Sequence, residues 1–311
     1  MRIGIDLGGT KMEGICLGDD GRARASDRFP TPHQSYEAVL NEIARLVTVL
    51  ESHAGIGTGS RATIGVATPG FLAPSDGLLR NSNLTLMNGH PVDQDLTAVI
   101  GRPVRVANDA NCFVLSEAAD GAALRRPGEN AGTADVVFGA TLGTGIGGGF
   151  VIDSQVWAGA NGSAGEWSHT TLPFLRPEDG PGGGCRCGFP ACIESFLSGH
   201  GLASDHERGT GEILSPVQIG EHAVANESKA VATFARYEDR LARALAGVIN
   251  LIDPRAIVLG GGISNNTRIF ANVPRLWERY TVAKGLSTRL VRAQHGDASG
   301  VRGAAWLWPA G

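Results

Sequence analysis

Two stretches of this chain repeat one local design. IGIDLGGTKMEGI (residues 3–15) and VFGATLGTGIGGGFVI (residues 137–152) each read as an apolar strand, a Gly/Thr turn and a second apolar strand. Short apolar runs bounded by turn residues mark buried strands. Two such hairpins about 135 residues apart point to a duplicated domain with a nucleotide between the copies. Glycine hairpins are common, so the repeat alone leaves coincidence open.

The rest of the pattern is α/β. Residues 36–53 carry Val39, Leu40, Ile43, Leu46, Val47 and Leu50 at helical spacing, which predicts a helix with one apolar face. Residues 234–252 predict a second, stopped by Asp253-Pro254. Short strands are expected at Ala62–Ala67, Val104–Ala107, Val136–Leu142, Gly149–Ile152 and Ala256–Leu259, a helix over Asn111–Ala123, and a last helix from Ser299 to Trp308. The 311 residues are 42 % hydrophobic and 19 % charged with net charge −4. That balance gives no electrostatic footprint for nucleic acid. No apolar run reaches membrane-spanning length and the N-terminus shows no signal-peptide pattern, so a cytoplasmic protein is expected.

Glycine concentrates where strands end. In D-L-G-G-T-K (6–11) the small residues let backbone N–H groups and the Thr10 hydroxyl approach an anion. Asp6 can hold a magnesium ion through water. The spacing is not a phosphate loop of the G-x4-G-K-[ST] kind, nor a Rossmann fingerprint, because a strand follows the turn. L-G-T-G-I-G-G-G (142–149) has the same physics at higher glycine density, and L-G-G-G-I-S (259–264) offers a third such turn, suited to a nucleoside.

N-D-A-N (108–111) follows a predicted strand. Asp109 there can take a proton from a substrate hydroxyl, yet Asn or Asp before a helix is also a frequent cap, and local sequence favours the cap. Asn81, Asn83, Glu166, His169 and Glu194 suit a polyol, whose hydroxyls both donate and accept. Cys185, Cys187 and Cys192 follow His169 in a C-x-C-x4-C spacing. Three thiolates and one imidazole complete a tetrahedral zinc set with no vacancy for water, which describes a structural ion. The competing account is three buried thiols and an unrelated histidine, but Arg186 and Gly188 make a poor core strand. Cys16 and Cys112 read as buried free thiols.

Taken in order, IGIDLGGTK, GVATPG (65–70), NDAN, LGTGIGGG, GEWSH (165–169), CRCGFPACIE (185–194) and LGGGIS resemble the ROK family, sugar kinases and related repressors, over nearly the whole chain. The resemblance implies a two-domain actin/hexokinase-like (ribonuclease H-like) ATPase fold with a central cleft. The smaller domain would comprise 1–118 plus 299–311 and the larger 119–298. It also implies ATP-dependent phosphorylation of a hexose on its primary hydroxyl, with Mg2+, a structural Zn2+ and a homodimer. Carried over by position, Asp109 is the general base rather than a cap. Asn108, Glu166, His169 and Glu194 contact the sugar, with Asn83 and Gly70 nearby. Asp6, Gly8, Gly9, Thr10, Lys11, Gly143, Thr144, Gly145, Gly147, Gly148 and Gly149 hold phosphates. Gly260, Gly261 and Gly262 meet the nucleoside. His169 would bind zinc through one nitrogen and face the sugar with the other. Ser168 and Ala191 stand where the family usually has glycine.

Residues 81–89 and 161–169 look most like bacterial fructokinases of broad hexose range. Fructose is therefore expected first, then mannose or glucose. N-acetylglucosamine kinases, which share HGDASG-like text (295–300) and the NDANCF run but usually lack the tryptophan of GEWSH, supply the rival. A sugar-sensing repressor is a remote alternative, since the first strand begins at residue 2 with no helix-turn-helix ahead of it.

Overall fold

The structure, a computed structural model, describes residues 1–57, 62–127, 129 and 134–309. The remaining positions, among them 310 and 311 at the end of the expected smaller domain, lie outside the described residues. In chain order the elements are β1 (Arg2–Leu7), β2 (Lys11–Leu17), β3 (Ala23–Pro30), α1 (Tyr36–His53), β4 (Thr63–Thr68), β5 (Phe71–Leu72), β6 (Leu79–Arg80), α2 (Val92–Ile100), β7 (Val104–Asn108) and α3 (Asp109–Ala119). There follow β8 (Val136–Leu142), β9 (Ile146–Ile152), β10 (Gln155–Val156), α4 (Ile193–Leu197), α5 (Gly199–Thr210), α6 (Pro216–Val224), α7 (Ser228–Ile252), β11 (Ala256–Gly260), α8 (Arg268–Trp277), β12 (Arg289–Arg292) and α9 (Ser299–Trp306).

These elements form two compact units. The first comprises Met1–Arg126, Gly149–Ala164 and Gln294–Gly311, the second Pro127–Gly148 and Gly165–Ala293. Residues 149–164 group with the first unit, where the sequence led to the larger domain. Gly149 lies against Asn111 of α3 and Gly162 against the Leu72 carbonyl, too close for a side chain at either position.

In the first unit the sheet runs β3-β2-β1-β4-β7. β1 pairs antiparallel with β2 and parallel with β4, and β4 parallel with β7. One face is covered by α1, whose expected stripe Val39, Leu40, Ile43, Leu46, Val47 and Leu50 is buried with Ile3, Ile5 and Met12. Ser35 caps the helix by accepting the Ala38 N–H. The other face meets α9, which lies directly on the strand backbones. A Cβ at Gly4 would sit 2.0 Å from the Val301 oxygen, and one at Gly65 1.9 Å from the Ala304 oxygen. Those two glycines are present to admit a helix.

The second sheet runs β10-β9-β8-β11-β12, the same order as the first with β8 in the place of β1. β11 pairs parallel with β8 and β12, as β4 does with β1 and β7. The strand–turn–strand repeat seen in sequence thus extends to whole sheets. The helix expected over 234–252 begins earlier, at Ser228, because Ala230 and Thr233 are buried and its packed face continues. Arg240 and Arg243 on α7 are also buried and clamp the Asp179 carboxylate at 2.9 and 2.7 Å. That pairing holds the Asp179 carboxyl well below the usual range, the two guanidiniums outweighing the cost of burial. It also anchors the chain just ahead of the cysteine segment.

Several expected boundaries shift. The helix after β7 starts at Asp109 and the last helix ends at Trp306. β9 starts at Ile146, so Gly147, Gly148 and Gly149 stand in a strand rather than a turn.

Candidate functional site

In the first unit the chemistry gathers where β1, β4 and β7 end. β7 runs straight into α3 at the Asn108–Asp109 step. Asn108 is the N-cap, its side-chain oxygen accepting the Ala110 N–H at 2.9 Å. Its side-chain nitrogen donates to the Gly70 carbonyl at 2.9 Å. Capping therefore falls to Asn108, and Asp109 is the first helical residue. Asp109 Oδ1 also accepts the Ala110 N–H, at 2.8 Å. The side chain is accessible yet crowded enough that desolvation raises its pKa, against the lowering effect of the Ala110 N–H and the Asn108 amide. A carboxylate raised in this way is a better proton acceptor near neutral pH.

Asp6 closes β1. Burial first, then the charges of Asp109 and Glu13, push its carboxyl up to about 6, with Lys11 opposing. A Cβ at Gly300, in the first turn of α9, would lie 2.7 Å from Asp6 Oδ2, so a glycine is what lets that helix end approach the carboxylate. Gly8 closes the turn by donating to the Lys11 carbonyl at 3.0 Å. Thr10 and Lys11 are exposed, and a Cβ at Gly9 would meet open space.

Gly70 has φ +82°, and a Cβ there would lie 2.2 Å from the Arg80 oxygen. Nearby Asn83 and Asn81 are exposed. The 81–84 loop is pinned by Asn88, whose side chain accepts the Ser82 N–H at 2.9 Å and donates to the Ser82 carbonyl at 3.0 Å. Sequence reasoning did not single out Asn88. Nor did it single out Glu117, buried in α3. Its carboxylate accepts backbone N–H groups from Ala122, Gln294 and His295 at 2.9 Å and the Ser299 hydroxyl at 3.0 Å.

In the second unit the cysteines and histidine converge. The ligand atoms of His169, Cys185, Cys187 and Cys192 all lie within 4.8 Å of one another. Cys187 and Cys192 sulfurs are 3.8 Å apart, and Cys185 Sγ is 3.6 Å from His169 Nδ1. Zinc bonds of about 2.3 Å to sulfur and 2.0–2.1 Å to nitrogen set tetrahedral edges of about 3.8 and about 3.6 Å. The donor set fits that ion. His169 Nε2 points the other way and lies 3.6 Å from the exposed Glu166 carboxylate. Glu194, the second residue of α4, lies with Oε1 3.3 Å from Cys185 Sγ and accepts the Ile146 N–H at 3.2 Å on Oε2.

The second glycine turn is Gly143–Gly145, closed by the Gly143 N–H on the Gly145 carbonyl at 3.1 Å. Thr144 and Gly145 are exposed. The glycines after it have packing reasons: a Cβ at Gly148 would fall 2.5 Å from the Trp167 ring, and one at Gly149 2.5 Å from Asn111 Oδ1. Beside the turn lies an apolar cavity of about 420 Å³, lined by Gly143, Thr144, His200, Val217, Gly262 and Ile263 among others. Gly260 is buried inside β11, and Gly261 packs on the Leu142 carbonyl with φ +81°. Of the three glycines, Gly262 lines the cavity.

The model of the ROK family matches residues 2–310. N-acetyl-D-glucosamine kinase of Vibrio parahaemolyticus is 37% identical over 311 residues, covering 99% of both chains. The ROK hexokinase of Thermus thermophilus superposes with a TM-score of 0.81 at 29% identity, over 98% of this chain and 97% of that one. A ROK family glucokinase from Streptomyces griseus, solved with glucose and AMPPNP, gives 0.70 at 25% identity over 100% and 99%. The fold is the expected two-domain actin/hexokinase-like ATPase fold. With its duplicated sheets, its ordered motifs and a family match that runs almost from end to end, the chain belongs to the ROK family, as one of its sugar kinases.

Proposed function

We propose that the protein transfers the γ-phosphoryl group of Mg-ATP to the 6-hydroxyl of N-acetyl-D-glucosamine. The observation that carries the choice of sugar is the run of relatives named N-acetyl-D-glucosamine kinase, 36–37% identical across 99% of both chains. They move that sugar, the rival on sequence grounds, ahead of fructose. Fructose stays as the second reading because Trp167 interrupts a motif that N-acetylglucosamine kinases usually keep without tryptophan.

The chemistry follows from the residues. Asp109 accepts the proton of the primary hydroxyl as that oxygen attacks the γ-phosphorus. The new P–O bond forms while the bond to the bridging oxygen breaks, and ADP carries away the electron pair. Asn108, with Gly70 and Asn83 beside it, and Glu166, His169 and Glu194 hold the sugar hydroxyls. The N–H groups of Gly9 and Gly145, with Thr10, Lys11 and Thr144, neutralise phosphate charge, while the Gly8 and Gly143 N–H groups close the two turns that present them; this is the kind of preorganised stabilisation that phosphoryl transfer demands. Asp6 would hold a magnesium ion, which would offset the phosphate charge. Gly148 and Gly149 serve this turn by packing, against Trp167 and Asn111, and Gly147 follows it in β9. The cavity at Gly262 takes the nucleoside. Cys185, Cys187, Cys192 and His169 would hold a zinc ion, which would supply a rigid cross-link and no reactive water. With Nδ1 turned to that ion, His169 Nε2 would carry the proton and offer it to a sugar oxygen. A cytoplasmic homodimer belongs to the same reading, and light scattering on purified protein tests the dimer.

The deciding experiment is a coupled ADP-release assay with Mg-ATP across N-acetylglucosamine, N-acetylmannosamine, glucose, mannose and fructose. The highest kcat/KM is expected for N-acetylglucosamine. A preference for fructose would overturn the choice of sugar and leave the kinase reading standing. No turnover with any of the five would sink both.

A further inference from the structure

Four side chains hold the strand that leaves the second glycine turn. The Ile146 N–H donates to Glu194 Oε2 at 3.2 Å, and the Ile146 carbonyl accepts the Ser168 hydroxyl at 3.1 Å. The Gly147 N–H donates to Thr141 Oγ1 at 3.0 Å, and the Gly147 carbonyl accepts the Trp167 indole N–H at 3.3 Å. Every backbone polar atom of this dipeptide therefore has a side-chain partner. Two of the four partners are adjacent, at the centre of GEWSH. Both are buried, Trp167 at 7 % exposure and Ser168 at 1 %. The indole also stands edge-on to Phe138, ring centres 5.3 Å apart, and fills the space left by the missing Gly148 side chain. Neighbouring Glu166 and His169 face the opposite task, the sugar and the zinc set.

We propose that Trp167 and Ser168 are positioning residues for the nucleotide: they hold Ile146 and Gly147 by their carbonyls and so set the geometry of the Gly143–Gly145 turn. This rests on the reading of that turn as a phosphate-binding turn. Ser168 stands where the resemblance leads one to expect glycine, and glycine has no hydroxyl to offer. The segment that presents Glu166 and His169 thereby also governs nucleotide affinity, through side chains other than those two.

The test uses full-length zinc-loaded Trp167→Phe, Ser168→Ala and the double variant. Phenylalanine keeps the ring against Phe138 and removes the N–H. Hydrogen exchange without ligands reads the turn directly, and titration calorimetry gives Kd for Mg-AMPPNP and for N-acetylglucosamine separately. The double variant is expected to exchange faster at residues 143–148 and to bind the nucleotide about tenfold more weakly, the scale of two modest hydrogen bonds. Sugar Kd and zinc content should stay at wild-type values. Unchanged exchange and unchanged nucleotide Kd would overturn the proposal. So would a parallel loss of sugar affinity and zinc, which would mark a general packing role. If Ser168→Ala does not fold, Ser168→Gly with Trp167→Phe repeats the test. Failure of the wild type to bind Mg-AMPPNP would count against the kinase reading, whereas equal binding by wild type and variants removes only this inference.

Discussion

The side-chain nitrogen of Asn108 donates to the Gly70 carbonyl at 2.9 Å while its oxygen caps α3. One residue thus ties the strand that delivers Asp109 to the Pro69-Gly70 turn. Asn108→Ala loses both contacts. It should cost about 1 kcal/mol of stability from the cap alone and raise the KM for sugar several-fold. Asn108→Asp can still cap but cannot donate to Gly70. It should recover most of the melting temperature and little of the sugar affinity. If both properties recover together, the contact with Gly70 has no bearing on the sugar.

Asp109 is the proposed base, and its helical position does not depend on its charge. Asp109→Asn keeps an oxygen for the Ala110 N–H, so its circular dichroism and melting should match wild type. Turnover should fall by about 100- to 10,000-fold, the usual worth of general base catalysis. Activity within a few-fold of wild type in the steady-state assay would remove Asp109 from the mechanism.

The Asp6 carboxyl is raised from 3.8 to about 6 by burial and by Asp109. The folded protein therefore holds this proton more tightly than the unfolded chain. Stability from this group is full below pH 3.8 and is lost as pH rises through about 6. Asp6→Asn should consequently gain melting temperature over wild type at pH 7 in magnesium-free buffer, and the gain should shrink toward pH 4. Parallel melting curves across that range would show that Asp6 is not perturbed. Wild-type kcat/KM should fall on the acid side near pH 6, and more magnesium should move that limb lower, because cation and proton compete for one carboxylate.

Glu117 satisfies three backbone N–H groups and the Ser299 hydroxyl inside α3 and the start of α9. Glu117→Ala removes the acceptor that these donors share, with the Ser299 hydroxyl fully buried and the backbone groups partly so, and each lost partner costs about 1–3 kcal/mol. A loss of at least about 3 kcal/mol in chemical denaturation is expected. A loss below about 1 kcal/mol, within the ordinary range for single substitutions, would show that water replaces the carboxylate.

The Cys/His set predicts about one zinc per chain by elemental analysis of protein purified without added metal. Cys192→Ser, which removes the buried ligand, should lose the metal and lower the melting temperature. Metal-free wild-type protein with unchanged melting would eliminate the structural ion.

Sequence alone determined what depends on near neighbours. The stripe of α1, the strand–turn–strand hairpins and the convergence of His169 with Cys185, Cys187 and Cys192 are each written within a short stretch, because periodicity and ligand spacing act through adjacent residues. The duplicated architecture was legible for the same reason, each copy carrying its own hairpin. Tertiary structure decided the rest. Asn108 and Asp109 compose one local pattern in which either can cap, and only the direction in which β7 enters α3 makes Asn108 the N-cap and Asp109 the first helical residue. Glycines 147–149 look like an extension of the phosphate turn, but Gly148 and Gly149 exist for Trp167 and Asn111. Glu117 looks like any acidic residue on a helix, and its partners at 294, 295 and 299 lie about 180 residues away. No local rule reports such pairings, because they exist only once the chain has closed and each buried polar group has had to find its partner within the fold.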